Sequence, residues 1–266
     1  MATEIPTRQA APIPAAALGE CSEDAVLGGR LVLRQPRRGH RFGHDAILLA
    51  AAVAARAGER AIEFGAGVGA AGLALARRVE GLDVTLLEID PALAALAAEN
   101  AERNSLAARV RAVSLDVTAP AAALAAAGLE PASADHVLMN PPFNAGQNPS
   151  PDPGRRAAHV ASDRTLEHWL ETAARLLRPG GAVTLIWRAD GLADVLTVLS
   201  AHFGAAVVLP VHGKAGGPAI RVLARAVKDR SAPLTLLSGL VLADADGKPT
   251  VAAETVLRDG AALPLI

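Results

Sequence analysis

The tetrapeptide Asn140-Pro141-Pro142-Phe143 closes the short apolar run His136-Val137-Leu138-Met139. The run reads as a buried strand. The two prolines fix φ and remove two backbone donors, so the chain leaves the sheet rigidly with its carbonyls free to accept. Asn140 adds an amide with one carbonyl acceptor and an NH2 donor, and Phe143 adds a flat apolar face. An amide acceptor, a main-chain carbonyl and a ring together suit a planar group that carries an exocyclic NH2. A proline turn followed by a core phenylalanine would have the same letters. Upstream, Ala61-Ile62-Glu63-Phe64-Gly65-Ala66-Gly67-Val68-Gly69 is a strand running into a glycine-rich turn. Without side chains such a backbone turns tightly and approaches a ligand closely, and the helix expected from Ala70 presents unpaired N–H groups to an anion.

Gly67, Gly69 and Gly72 also satisfy the G-x-G-x-x-G spacing of dinucleotide sites. Glu88 ends the next strand and suits the ribose hydroxyls of either NAD or S-adenosylmethionine. Glu63 favours S-adenosylmethionine, whose ammonium group wants a nearby carboxylate where a pyrophosphate would be repelled. Asp116 ends the third strand and suits either an adenine amino group or a turn cap. Asp45, before Ala46-Ile47-Leu48-Leu49-Ala50, reads as a helix cap or a ligand contact.

These residues act together only if strands and helices alternate so that the glycine turn, Glu88, Asp116 and Asn140 fall at carboxyl ends of successive strands. The pattern from Arg60 supplies this. Strands are expected at Ala61–Phe64, Val84–Glu88, Val110–Leu115, Ala134–Met139 and Ala182–Trp187, with helices at Ala70–Val79, Pro91–Asn104, Ala121–Ala127 and Leu166–Leu177. Asp90-Pro91 marks one helix start and Arg178-Pro179-Gly180-Gly181 one helix stop. Alternation of this kind predicts an α/β fold with a mostly parallel sheet covered on both faces. A helix near Leu192–Ser200 and strands at Ala206–Val211 and Ile220–Ala226 complete the series. Before it, Ala25–Leu27 and Leu31–Leu33 flank Gly28-Gly29 as a hairpin. Residues 1–22 read as a loose tail, and 23–266 as one domain with an N-terminal hairpin and a C-terminal appendage. The acids of Asp244–Lys248 are too few for a calcium loop.

Composition limits the class. Hydrophobic residues make up 51% and aromatics 2%, so the core is built from Ala, Leu and Val. A net charge of −1 gives no global field for nucleic acid, and any RNA contact rests on local basic patches. Arg34, Arg37, Arg38 and Arg41 form one candidate patch, and Arg155, Arg156, His159 and Arg164 another; a solvated loop is the alternative for each. His40 and His44 flank a loop rather than share a helix face, and no metal site is expected. The single cysteine, Cys21, excludes an internal disulfide and fits a reducing compartment. No apolar run reaches the roughly 18 residues of a membrane span, and no basic segment with an apolar run opens the chain, so a cytoplasmic protein is expected.

Glu63-x-Gly65-x-Gly67-x-Gly69 with Asn140-Pro141-Pro142-Phe143 resembles the class I S-adenosylmethionine-dependent methyltransferases that modify an amino nitrogen. The wider pattern, including Gly43-His44-Asp45-Ala46-Ile47-Leu48-Leu49-Ala50, is similar to the bacterial tRNA (adenine-N6)-methyltransferases that act on valine tRNA. The resemblance implies a seven-stranded Rossmann-like sheet with an antiparallel last strand. It implies that Glu63 and the glycine turn hold the methionine part of the cofactor, Glu88 the ribose and Asp116 the adenine. Asn140, the Pro141 carbonyl and Phe143 would hold the target base. Many relatives carry tyrosine where Phe143 stands, which keeps stacking and removes a hydroxyl. The same tetrapeptide serves methylation of guanine N2 in ribosomal RNA and of a glutamine amide in proteins. A nicotinamide-dependent oxidoreductase and a non-catalytic RNA-binding protein are the readings from other classes. A cytosine-C5 methyltransferase is excluded, because its nucleophile is a cysteine and Cys21 falls in the tail.

Overall fold

The structure, a computed structural model, describes residues 19–38, 41–142 and 153–265, with side chains of 153–164 outside the description. Strand β1 (Cys21–Val26) pairs antiparallel with β2 (Leu31–Pro36) across Gly28-Gly29. Cys21 pairs with Pro36 and Ser22 with Gln35, so two residues expected in the loose tail belong to a strand. Their side chains give no period, and only the partner strand reveals them.

The rest alternates: α1 (His44–Ala52), β3 (Arg60–Phe64), α2 (Ala70–Arg78), β4 (Asp83–Glu88), α3 (Pro91–Arg103), β5 (Val110–Ser114), α4 (Ala121–Ala126), β6 (Ala134–Met139), α5 (Pro153–Leu176), β7 (Leu177–Arg188) and α6 (Leu192–Ser200). Then come β8 (Phe203–His212), β9 (Ala219–Lys228), β10 (Thr235–Leu236), β11 (Leu240–Val241) and α7 (Val251–Leu257). The main sheet runs β8-β9-β7-β6-β3-β4-β5, with the two dipeptide strands β10 and β11 added on β8. Pairs among β7, β6, β3, β4 and β5 are parallel, and β9 is antiparallel to both β7 and β8. This is the expected seven-stranded α/β sheet, extended at one edge.

Alternation along β3 sorts its residues between two apolar layers. Ala61 joins the core beneath α1 and α2, while Ile62 and Phe64 join the core beneath α5. Glu63 therefore points to the α2 side, under a helix whose Ala70, Ala71, Ala74 and Ala76 are all buried. Helix α5 begins at Pro153, earlier than its apolar period predicts, because that period starts only at Leu166. Asp90 caps α3 through the amides of Ala92 and Leu93, with Pro91 at the first helical position. Among the described residues no helix is long and apolar enough to cross a membrane.

Candidate active site

Strand order reverses between β3 and β6, which pair parallel in the middle of the sheet. Phe64 is in register with Met139, so Gly65 and Asn140 leave neighbouring strands at one level. Phe64 is also in register with Leu87, and Glu88 with Ser114. The glycine turn, Glu88, the stretch to Asp116 and Asn140 thus share the carboxyl end of the sheet at its switch point, where open α/β sheets bind ligands.

Two buried acids hold the turn and the start of the helix behind it. Glu63 Oε2 accepts from the Gly72 amide at 2.7 Å, and Glu88 Oε2 accepts from the Gly67 amide at 2.7 Å. Glu88 Oε1 also accepts from the Asp90 amide at 2.9 Å. Burial pushes the Glu63 carboxyl up to about 8; the Gly72 amide opposes this and the Glu88 charge adds to it. Gly65, Gly67 and Gly69 all have positive φ. Their surroundings differ. A Cβ on Gly65 would fall 2.6 Å from Trp169 Cη2, and one on Gly69 2.8 Å from Leu86 Cδ1, whereas one on Gly67 would meet nothing within 4 Å. Gly65 and Gly69 are small for packing; Gly67 faces open space that a ligand can enter.

The other candidates divide. Asn140 Oδ1 is shut off from solvent and has no hydrogen-bond partner among the described residues. Pro141 is buried and Pro142 exposed. Asp116 is exposed, and its Oδ1 accepts from the Thr118 amide at 2.8 Å and from Thr118 Oγ1 at 2.9 Å, the turn-cap arrangement. Asp45 does not cap its helix: Gly43 is the N-cap, with no side-chain bond, and Asp45 Oδ2 accepts from Arg221 Nε at 2.8 Å. Phe143 lies outside the described residues, as do the side chains of Arg155, Arg156, His159 and Arg164. The other basic patch is largely neutralised. Arg34 pairs with Glu99 and Arg41 with Asp24, each at 3.0 Å, and Arg37 lies 3.7 Å from Glu20.

Two residues at the site escaped the sequence reading. Trp169 on α5 lies against Gly65 and meets Phe64 edge-on, with ring centroids 6.1 Å apart. Ile89, directly after Glu88, is 64% exposed and offers an apolar face at the mouth. An apolar residue following a strand-end acid was a visible signal for Ile89. Trp169 had none, being about a hundred residues from its contact.

The sheet order, the carboxylate-held glycine turn and the Asn-Pro-Pro exit together define a class I methyltransferase. The methyltransferase small domain family matches residues 41–214, and the chain belongs to that family. It is 30% identical over 185 residues to the tRNA1(Val) (adenine(37)-N6)-methyltransferase of Bacteroides thetaiotaomicron, covering 69% of this chain and 75% of the relative. It is 31% identical over 153 residues to the ribosomal RNA small subunit methyltransferase C of Hahella chejuensis, covering 57% of this chain and 37% of that one. The crystal structure of a predicted O-methyltransferase from Agrobacterium tumefaciens superposes with a TM-score of 0.71 at 31% identity, over 82% of this chain and 98% of that one. The chain is an S-adenosylmethionine-dependent methyltransferase, and the nicotinamide and non-catalytic readings fall away.

Two predictions follow from this geometry. A carboxyl raised from 4.5 to about 8 on folding contributes stability that is complete below pH 4.5 and lost as pH rises toward 8. Thermal melts between pH 4.5 and 8.5 should therefore show wild type losing stability relative to Glu63→Gln as pH rises, with the difference levelling above 8; parallel curves would contradict it. Titration with S-adenosylhomocysteine should change tryptophan fluorescence, and Trp169→Phe should remove most of the change while buried Trp187 remains.

Proposed function

We propose that this chain transfers a methyl group from S-adenosylmethionine to the N6 amino nitrogen of an adenine in tRNA. The observation that carries the reading is Asn140 Oδ1, a buried acceptor without a partner among the described residues, placed level with the glycine turn on the adjacent strand. The names of the curated relatives support adenine and tRNA.

The residues fit the cofactor. Gly67 opens onto free space, Glu88 presents a carboxylate suited to ribose hydroxyls, Ile89 an apolar face for the adenine ring, and Asp116 an acceptor for its amino group. Glu63 acts from beneath, by holding the first turn of α2. Asp45 is held by Arg221, which is in register with Arg188 at the carboxyl end of β7. When bound, S-adenosylmethionine supplies a methyl group on a sulfonium, already a good leaving group. The acceptor nitrogen is the harder partner, because its lone pair is delocalised into the ring. Asn140 Oδ1 and the Pro141 carbonyl accept its two N–H bonds, favour a more tetrahedral nitrogen and stabilise the positive charge that develops there. Phe143 stacks on a base taken out of its helix. In-line placement supplies most of the remaining acceleration, and no general base is needed before transfer.

Guanine N2 in ribosomal RNA, the other base acceptor that the same tetrapeptide serves, is the second reading; one relative is named for ribosomal RNA, and this chain spans about a third of it. A hydroxyl acceptor, as in the name of the Agrobacterium structure, has one proton and leaves one of the two acceptors unused. The domain works as one unit from the hairpin to the C-terminal appendage, in the cytoplasm, where a half-buried free cysteine stays reduced.

Nucleoside mass spectrometry of tRNA from cells with and without the gene tests the reading. Loss of N6-methyladenosine, restored by wild type and not by Asn140→Ala, is expected; unchanged tRNA with missing N2-methylguanosine in ribosomal RNA would overturn it. Purified Asn140→Ala should bind S-adenosylhomocysteine within about threefold of wild type and lose about 100-fold or more in turnover.

A further inference from the structure

Among the described residues the edge of β2 away from β1 meets no strand. It is paired with two asparagines of α3. Asn104 Oδ1 accepts from the Val32 amide at 2.9 Å, and Asn104 Nδ2 donates to the Val32 carbonyl at 2.8 Å. Asn100 Oδ1 accepts from the Arg34 amide at 2.8 Å, and Asn100 Nδ2 donates to the Arg34 carbonyl at 2.9 Å. Each side-chain amide thus makes the reciprocal pair of bonds that an opposing strand residue would make. The spacing permits it: four residues of helix rise about 6 Å, and two residues of strand rise about 6.7 Å. Asn100 and Asn104 are 0% and 7% exposed, so these bonds are protected from water.

The two asparagines are not equivalent. Asn104 Nδ2 spends its second hydrogen on the Asn100 carbonyl in its own helix, at 2.7 Å. Asn100 Nδ2 sends its second hydrogen to the Val68 carbonyl, at 3.0 Å. Val68 lies between Gly67, whose amide Glu88 holds, and Gly69, the N-cap of α2. One buried amide group therefore ties the hairpin to the turn that receives the cofactor, and no other amide of this ladder does so.

We propose that Asn100 is a positioning residue: through the Val68 carbonyl it sets the shape of the glycine turn and couples the N-terminal hairpin to cofactor affinity. This rests on the cofactor assignment and not on the identity of the RNA. The coupling acts in both directions, because linkage between two sites is reciprocal. Cofactor binding tightens the hairpin as the hairpin supports the cofactor.

The test uses the full chain and S-adenosylhomocysteine alone. Asn100→Asp keeps the acceptor for the Arg34 amide but sets an oxygen against the Arg34 and Val68 carbonyls; Asn104→Leu removes the two bonds to Val32 while sparing those to Arg34 and Val68. By calorimetry Asn100→Asp should weaken binding by about 10-fold or more, and Asn104→Leu by no more than about twofold, although both lower the melting temperature. In the wild type, which avoids any folding defect of the variants, hydrogen exchange at the Val32 and Arg34 amides should slow when the ligand is added. Equal binding by both variants and wild type, or exchange at those amides indifferent to ligand, overturns the coupling. Wild type that does not bind the ligand at all would instead remove the cofactor assignment on which it rests.

Discussion

A carboxylate placed inside a folded chain must be paired or neutralised, and at this site two of them are turned to structural use. Glu63 and Glu88 are 5% and 7% exposed; Glu88 takes the Gly67 amide of the turn between β3 and α2, and Glu63 takes the Gly72 amide in the first turn of α2. Isolated ionised acids at that depth would be costly, whereas acids that accept amide protons hold those amides in fixed directions. The turn is therefore shaped before any ligand arrives. The rest of the carboxyl end of the sheet is arranged around it: Trp169 lies beside Gly65, Leu86 lies against Gly69, and the space before Gly67 stays clear. Affinity gained by such preorganisation does not have to offset ordering of the turn on binding.

The two halves of the chemistry meet because β3 and β6 are adjacent although three helices and two strands separate them in the chain. Parallel pairing puts both carboxyl ends on the same side, and the register of Phe64 with Met139 brings them level. A donor at the glycine turn and an acceptor at Asn140 then need no movement of the sheet to face each other. The rigid exit through Pro141 and Pro142 keeps the acceptor amide from swinging away.

Much of this was legible because the motifs carry their own local context. A strand, a glycine turn and a helix start in succession located the cofactor end, and the helix boundaries at Asp90-Pro91 followed from capping chemistry. What remained hidden depends on distant partners. The pairing of Asp45 with Arg221 spans 176 residues, and a cap was the nearer explanation for an acid at a helix start. Arg34 in β2 and Arg41 in the loop after it read as available for phosphate from the sequence, but Glu99 and Asp24 lie beside them. Asn100 and Asn104 read as ordinary helix residues, since only the edge of β2 shows why amides are needed there. The first half of α5 was missed because a polar helix segment has no apolar period to announce it.

The scarcity of aromatic residues has its own consequence. Helix α2 lies on the sheet through Ala70, Ala71, Ala74 and Ala76, which are 3%, 1%, 2% and 0% exposed. Methyl groups let helix and sheet approach so closely that a single added carbon at Gly72 would fall 2.4 Å from Leu86. Such an interior has little volume to lose by truncation and almost none to spare for growth. Its sensitivity is to crowding rather than to hollowing, and the tightest tolerance lies directly beneath the segment that grips the methyl donor.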